Sequence, residues 1–287
     1  MTSGRQPARQ PAPTGRSAGG VRPYRWRIRG ASVQGYSHVR EGKWCEDSFA
    51  HLSLYERGSL PDVHVLAVAD GAGSAPRSAE GSRLAVAMAT RLVRDRIHPN
   101  GRPATAPDLR QLLTAAHEEI VTEFRRVVTA VAGREHIGEF ATTLTVVVLA
   151  YPLIGYLSIG DGFIVVRTGE GGQTNLHLLD AGSADPEHAS QTVFLTSDTS
   201  RAARVNAVYD PWITGVFMST DGLIPVTLRR DPEGRLAVAT EPVIDTVLGL
   251  LDDDHFDASG LVQLLLREAV TEVTQDDTTL LVAVLCR

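Results

Sequence analysis

Apolar positions along the chain recur with two periods. From Pro107 to Ala132 they fall three and four apart, at Leu109, Leu112, Leu113, Ala116, Ile120, Phe124, Val127 and Val131, which marks one stripe of an amphipathic helix that Gly133 ends. Similar stripes over about Ser78–Ile97 and Ser259–Val273 predict two more helices. Short runs rich in β-branched residues predict strands at His64–Ala69, Thr143–Leu149, Gly155–Ile159, Phe163–Arg167, Asn175–Leu179, Gln191–Thr196, Gly215–Ser219 and Thr278–Leu285. Between 140 and 196 the strands follow one another through short turns instead of alternating with helices. Antiparallel pairing and an α+β fold are therefore expected.

Composition narrows this picture. The chain has 287 residues, 43% of them hydrophobic and 22% charged, which is a globular balance and excludes a wholly disordered or collagen-like protein. Residues 1–24 are the exception: Pro, Gly, Ser and four arginines with almost no large apolar side chain cannot offset the entropy of ordering, so a flexible basic tail is expected there. Residues 25–287 show no repeat and no second linker, and are expected to form one domain. No apolar run approaches the roughly 18 residues of a membrane span, and the first 24 lack the apolar stretch of a secretory signal, so a cytoplasmic protein with no membrane partner is expected. The net charge of −6, with the basic tail set against an acidic body, argues against nucleic acid as a partner. Two cysteines, Cys45 and Cys286, are too few for a disulfide framework or a cysteine-rich zinc site.

The chemistry lies in the acids. Three apolar strands end in Asp-Gly, at Asp70-Gly71, Asp161-Gly162 and Asp221-Gly222, while Asp276-Asp277 precedes the last strand and Glu46-Asp47 precedes another apolar run. A single Asp-Gly is ordinary turn chemistry. Repeated at several strand ends, such carboxylates form a rim of oxygen donors on rigid supports, and without a cation they would repel one another; Mg²⁺ or Mn²⁺ is the simplest compensation. A nucleotide-binding loop at VADGAGSAPRSAEG lacks both the third glycine of a dinucleotide fingerprint and the Gly-Lys-Ser/Thr of a phosphate loop, and no GxSxG of a serine hydrolase is present.

Taken in order, CEDSF, VADGAG, ATTLTVVV, IGDG, MSTDG and QDDTTLLVAV resemble the protein phosphatase 2C family of metal-dependent Ser/Thr phosphatases, over about residues 28–286. The resemblance implies a four-layer α-β-β-α sandwich, with two central antiparallel sheets flanked by helices. It implies two divalent cations, Mn²⁺ or Mg²⁺, at one edge, and hydrolysis of phosphomonoesters by a metal-activated water without a phosphoenzyme. By the same resemblance, Asp70 bridges the two metals, the Gly71 carbonyl joins one of them, Asp221 and Asp276 hold the second, Glu46 holds it through water, and Asp161 helps hold a weaker third. The implied partner is a phosphoprotein substrate made by a Ser/Thr kinase, and a monomer is expected.

The chain departs from that pattern in four places. Gly42 stands where the family places a phosphate-gripping arginine, leaving Arg40 and Lys43 as the nearest cations. Ala72 stands where eukaryotic members have a proton-donating histidine. Asp277 replaces the usual Asn, and its charge either tightens a cation site or faces solvent, the second being favoured. His38 resembles a Ser-His pair of a bacterial branch; it is either a contact for phosphate or a hydrogen-bonded loop residue. Gly42 and Ala72 motivate the alternative of a metal-binding sensing or scaffold protein on the same fold, with little or no turnover.

Overall fold

The computed structural model describes residues 24–54, 63–170, 173–181, 192–199, 202–232, 234–239, 243–253 and 255–286. Apart from Tyr24, the tail expected over residues 1–24 lies outside them. In chain order the elements are β1 (Arg25–Val33), α1 (Tyr36–Glu41), β2 (Ser48–Leu54), β3 (Val63–Ala69), α2 (Ser78–Asn100), α3 (Ala106–Ala132), β4 (Leu144–Ala150), β5 (Leu153–Ile159), β6 (Phe163–Glu170) and β7 (Gln173–Ala181). There follow β8 (Arg204–Tyr209), β9 (Ile213–Ser219), α4 (Ile224–Thr227), β10 (Leu228–Arg230), β11 (Leu236–Val238), α5 (Val243–Leu250), α6 (Ala258–Leu265), α7 (Glu268–Thr271) and β12 (Thr278–Cys286).

Two five-stranded antiparallel sheets form the centre, one ordered β1-β12-β9-β6-β7 and the other β2-β3-β4-β5-β8. Their central strands are apolar throughout because both faces are covered. Leu66 and Val68 of β3 point between the sheets, where they meet Ile164, Val216, Met218 and Leu281. Val65 and Ala67, one residue out of step, face the outer layer of α2 and α3 with Leu109, Leu113, Ile120 and Phe124. On the far side, Phe163, Phe217, Leu280 and Val282 pack against α5 and α6 through Val247, Leu248, Leu261 and Leu265. Helix, sheet, sheet and helix are thus the four layers, as expected. No helix among the described residues is long and apolar enough to cross a membrane.

Three local expectations are corrected. Residues 192–199 form a loop and turn, not a strand; Leu195 reaches the outer core and its N–H donates to the Thr142 carbonyl, while Gln191 lies outside the described residues. The helix over Ser259–Val273 divides into α6 and α7, because Arg267 takes an extended backbone that returns Val270 to the core and leaves Leu266 and Val273 exposed. In α3 the buried stripe finishes at Val128, and Val131 faces solvent. The start of that helix carries a full capping box between Thr105 and Asp108, and its end meets Gly133 at φ 93°.

Candidate metal centre

Antiparallel register gathers the acids. Ser48 pairs with Ala69, so the start of β2 and the end of β3 share one edge, bringing Glu46-Asp47 to Asp70. Leu280 pairs with Ser219, which puts Asp276-Asp277 and Asp221 at the matching edge of the other sheet. Phe163 also pairs with Ser219, and so Asp161, on the link that crosses from β5 to β6, joins the same rim. Carboxylate oxygens of Asp70, Asp161 and Asp221 lie within 4.8 Å of one another.

Backbone and hydroxyl contacts fix these side chains. The Thr143 hydroxyl accepts from the Asp70 N–H at 2.9 Å, and the Thr142 hydroxyl donates to the Asp70 carbonyl at 2.8 Å, which is the local meaning of the ATT sequence. Thr192 donates to Asp161 at 2.7 Å, leaving the other Asp161 oxygen buried without a partner. The Gly71 N–H donates to the Glu46 carbonyl at 3.2 Å, and a Cβ at Gly71 would lie 2.8 Å from that oxygen and from Ser78 Cβ. Gly71 is therefore required by close packing. Gly222 is tighter still, its missing Cβ falling 2.0 Å from the Asp277 carbonyl oxygen.

Electrostatics follow from burial. Asp221 is pushed up to about 7, first by burial and then by the charges of Asp161 and Asp276. Asp70 is raised well above the carboxylate range, again by burial first, followed by Asp47, Asp221, Asp161 and Asp276. Asp276 itself is exposed at the rim and is not one of the three converging acids, though its charge bears on two of them. Glu46 is buried, and one of its oxygens has no hydrogen-bond partner; burial raises it while His38 opposes the shift. An oxygen-only donor set, mutual repulsion and two orphaned buried oxygens all fit divalent cations.

Two acids mattered more than the sequence suggested. Asp47 is buried beside the trio, accepts a 2.7 Å hydrogen bond from the Thr220 hydroxyl, and its charge raises Asp70; burial pushes Asp47 itself up to about 8. Its only sequence signal is its place beside Glu46. Asp277, expected to face solvent, is instead buried: it accepts from the N–H groups of Gly35 and Glu46 and lies 3.0 Å from His38 Nδ1.

The cations divide likewise. His38 is buried, with Nε2 3.7 Å from Glu46, so its ring faces carboxylates on both sides. It sits within α1 and not in a loop. Arg40 is exposed in the last turn of α1. Lys43 Nζ donates to the Gly73 carbonyl at 3.0 Å and lies 3.1 Å from Glu41, which sets it over the loop that follows Asp70. Gly42, at φ 69°, caps α1, and no atom lies within 4 Å of where its Cβ would be. Ala72 is buried.

A family model described as protein phosphatase 2C matches residues 34–266. Serine/threonine-protein phosphatase 3 of Escherichia coli (strain K12) is 28% identical over 270 residues, covering 90% of this chain and 98% of that protein. Among solved structures, the serine-threonine phosphatase 2C of Toxoplasma gondii shares the fold with a TM-score of 0.61 at 15% identity, covering 93% of this chain and 100% of that one. The catalytic domain of serine threonine protein phosphatase PstP, in complex with two manganese ions, matches with a TM-score of 0.55 at 18% identity over 92% of this chain and 100% of that one.

Proposed function

Because the chain belongs to the protein phosphatase 2C family, we propose that it is a metal-dependent protein serine/threonine phosphatase that hydrolyses phosphomonoesters on phosphoproteins, using two divalent cations, Mn²⁺ or Mg²⁺. The observation that carries the proposal is the convergence of Asp70, Asp161 and Asp221 from three strand ends. When bound, such ions supply the charge that acidifies water and neutralises phosphoryl oxygens during in-line displacement.

The chain's own residues hold and orient. Asp70, fixed through its backbone by Thr142 and Thr143, would reach both ions, with the Gly71 carbonyl beside it. Asp221 and Asp276 would hold the second ion, Glu46 would act on it through water, and Asp161 would serve a weaker third. Asp47, held by the Thr220 hydroxyl, would add negative charge beside Asp70 for the bound ions to offset. Lys43, set over the Gly73 carbonyl, is the cation best placed to meet substrate phosphate in the absence of an arginine at Gly42. With Ala72 after the Asp-Gly pair, the side chain at that position would supply no proton to the leaving oxygen.

The substrates would be proteins phosphorylated by a partner Ser/Thr kinase in the cytoplasm. Phosphate release from a phosphothreonine peptide, measured with Mn²⁺ and then with excess EDTA, tests the activity, and Asp70→Asn tests the site. Mn²⁺-dependent release that the variant loses supports both. Calorimetric Mn²⁺ binding without release would instead favour a sensing protein on this fold.

A further inference from the structure

Three exposed large hydrophobic side chains fall within nine residues beside the acidic rim: Tyr36 at 62%, Val39 at 58% and Trp44 at 80% exposure. Tyr36 and Val39 stand one turn apart on α1, on the side away from buried His38, and Trp44 follows two residues after the helix cap at Gly42. Exposed apolar clusters of this kind mark contact surfaces. This one has a rigid base. The N–H and hydroxyl of Ser37 both donate to the Gln275 carbonyl, at 3.1 and 2.7 Å, and Asp277 accepts from Gly35. The patch therefore rides on the same segment that carries the acids at 276 and 277.

We propose that Tyr36, Val39 and Trp44 form a docking surface for the polypeptide that flanks the phosphorylated residue of the substrate. The inference rests on the phosphatase reading above. Trp44 is two residues from Glu46, so their Cα atoms are no more than about 7 Å apart. An extended substrate advances about 3.3 to 3.6 Å per residue, so its second or third residue from the phosphoamino acid reaches the patch when phosphate is at the centre. The occupant is accordingly a phosphopeptide with a bulky apolar side chain two or three positions from the phosphothreonine or phosphoserine. Arg40, exposed in α1, is the cation beside the patch that can meet an anionic chain, Lys43 being paired with Glu41. The open space around Gly42 leaves room for that chain.

The test compares phosphothreonine peptides carrying Leu or Ser two and three residues from the phosphothreonine, with p-nitrophenyl phosphate as an ester too small to reach the patch. Wild-type protein with Mn²⁺ should turn over the Leu peptide with a kcat/KM roughly fivefold to tenfold above the Ser peptide. Trp44→Ala and Tyr36→Ala should reduce that ratio to within twofold of unity. Equal rates on both peptides in the wild type, or a ratio unaltered in both variants, overturn the docking surface while small-ester turnover keeps the phosphatase reading intact. Equal loss of peptide and small-ester turnover in Trp44→Ala also overturns it, by placing Trp44 in support of the centre. Cosedimentation with phosphatidylserine vesicles that Trp44→Ala abolishes, without any peptide preference, would assign the patch to a lipid surface instead. Failure of the wild type to cleave even the small ester removes the reading on which the inference stands.

Discussion

The Asp277 carboxylate clasps the backbone of Glu46, one oxygen accepting its N–H at 2.6 Å while the other accepts the Gly35 N–H at 2.7 Å. Through this contact the start of β12 fixes both the segment before β2 and the entry to α1. Asp277→Ala would leave two buried donors unsatisfied and cost about 2 to 4 kcal/mol. Asp277→Asn keeps one acceptor but turns an NH₂ toward the second donor, so a loss of about half that size is expected. Urea denaturation of both variants checks the order, and equal stability of all three proteins would refute the clasp.

Stability of the metal-free protein should depend on pH in an unusual direction. Asp221 is raised to about 7 and Asp47 to about 8, against an ordinary value of 3.8. A carboxyl raised in the fold binds its proton more tightly folded than unfolded, so its contribution is present below the unfolded value and is lost as pH climbs through the folded one. In EDTA, stability is therefore expected to fall between about pH 4 and pH 8. Mn²⁺ should flatten the decline at the upper end by binding the ionised acids. Thermal melting across that range, with and without Mn²⁺, measures both effects; a metal-free protein that gains stability from pH 5 to pH 8 would contradict the assignment.

The same repulsion predicts opposite effects of one substitution. Asp70→Asn replaces a buried acid whose ionisation is opposed by burial and by Asp47, Asp221 and Asp161. At pH 8 in EDTA the variant should melt above the wild type. With saturating Mn²⁺ the order should reverse, and metal-dependent turnover should be lost. A variant less stable than the wild type under both conditions would mean that Asp70 acts chiefly as a packing element.

Much of this arrangement was legible along the chain, for physical reasons that also mark where it was not. The α3 stripe could be read because burial on one face repeats every 3.6 residues, and Asp70, Asp161 and Asp221 could be read because each ends an apolar strand and precedes Gly. β1 alternates buried Trp26 and Ile28 with more exposed arginines, a weaker signal that no expectation covered. Val193, Phe194 and Leu195 imitate a strand, yet apolar contacts and isolated hydrogen bonds such as that from the Leu195 N–H to the Thr142 carbonyl, not a strand ladder, hold them. Asp47 and Asp277 were undervalued because sequence does not distinguish a carboxylate facing water from one buried against backbone N–H groups or a hydroxyl. Only the pairing of two sheets encloses them.

Gly222 offers a purely steric test of that enclosure. No positive φ is found there; the constraint is the Asp277 carbonyl oxygen 2.0 Å from the missing Cβ. Backbone cannot yield as a flexible side chain would, so Gly222→Ala must push β12 and the turn after β9 apart, at a cost of about 3 kcal/mol. Gly42→Ala is the matched control: it meets no neighbour but must adopt φ 69°, which costs about 1 kcal/mol. Because the Gly222 shift displaces Asp221 relative to Asp276, its effect should extend to Mn²⁺ affinity, with at least a tenfold weaker Kd by calorimetry, whereas Gly42→Ala should bind Mn²⁺ as the wild type does. Equal Mn²⁺ affinity in the two variants would show that the rim tolerates movement between the sheets, and that the close approach at Gly222 does not set the metal geometry.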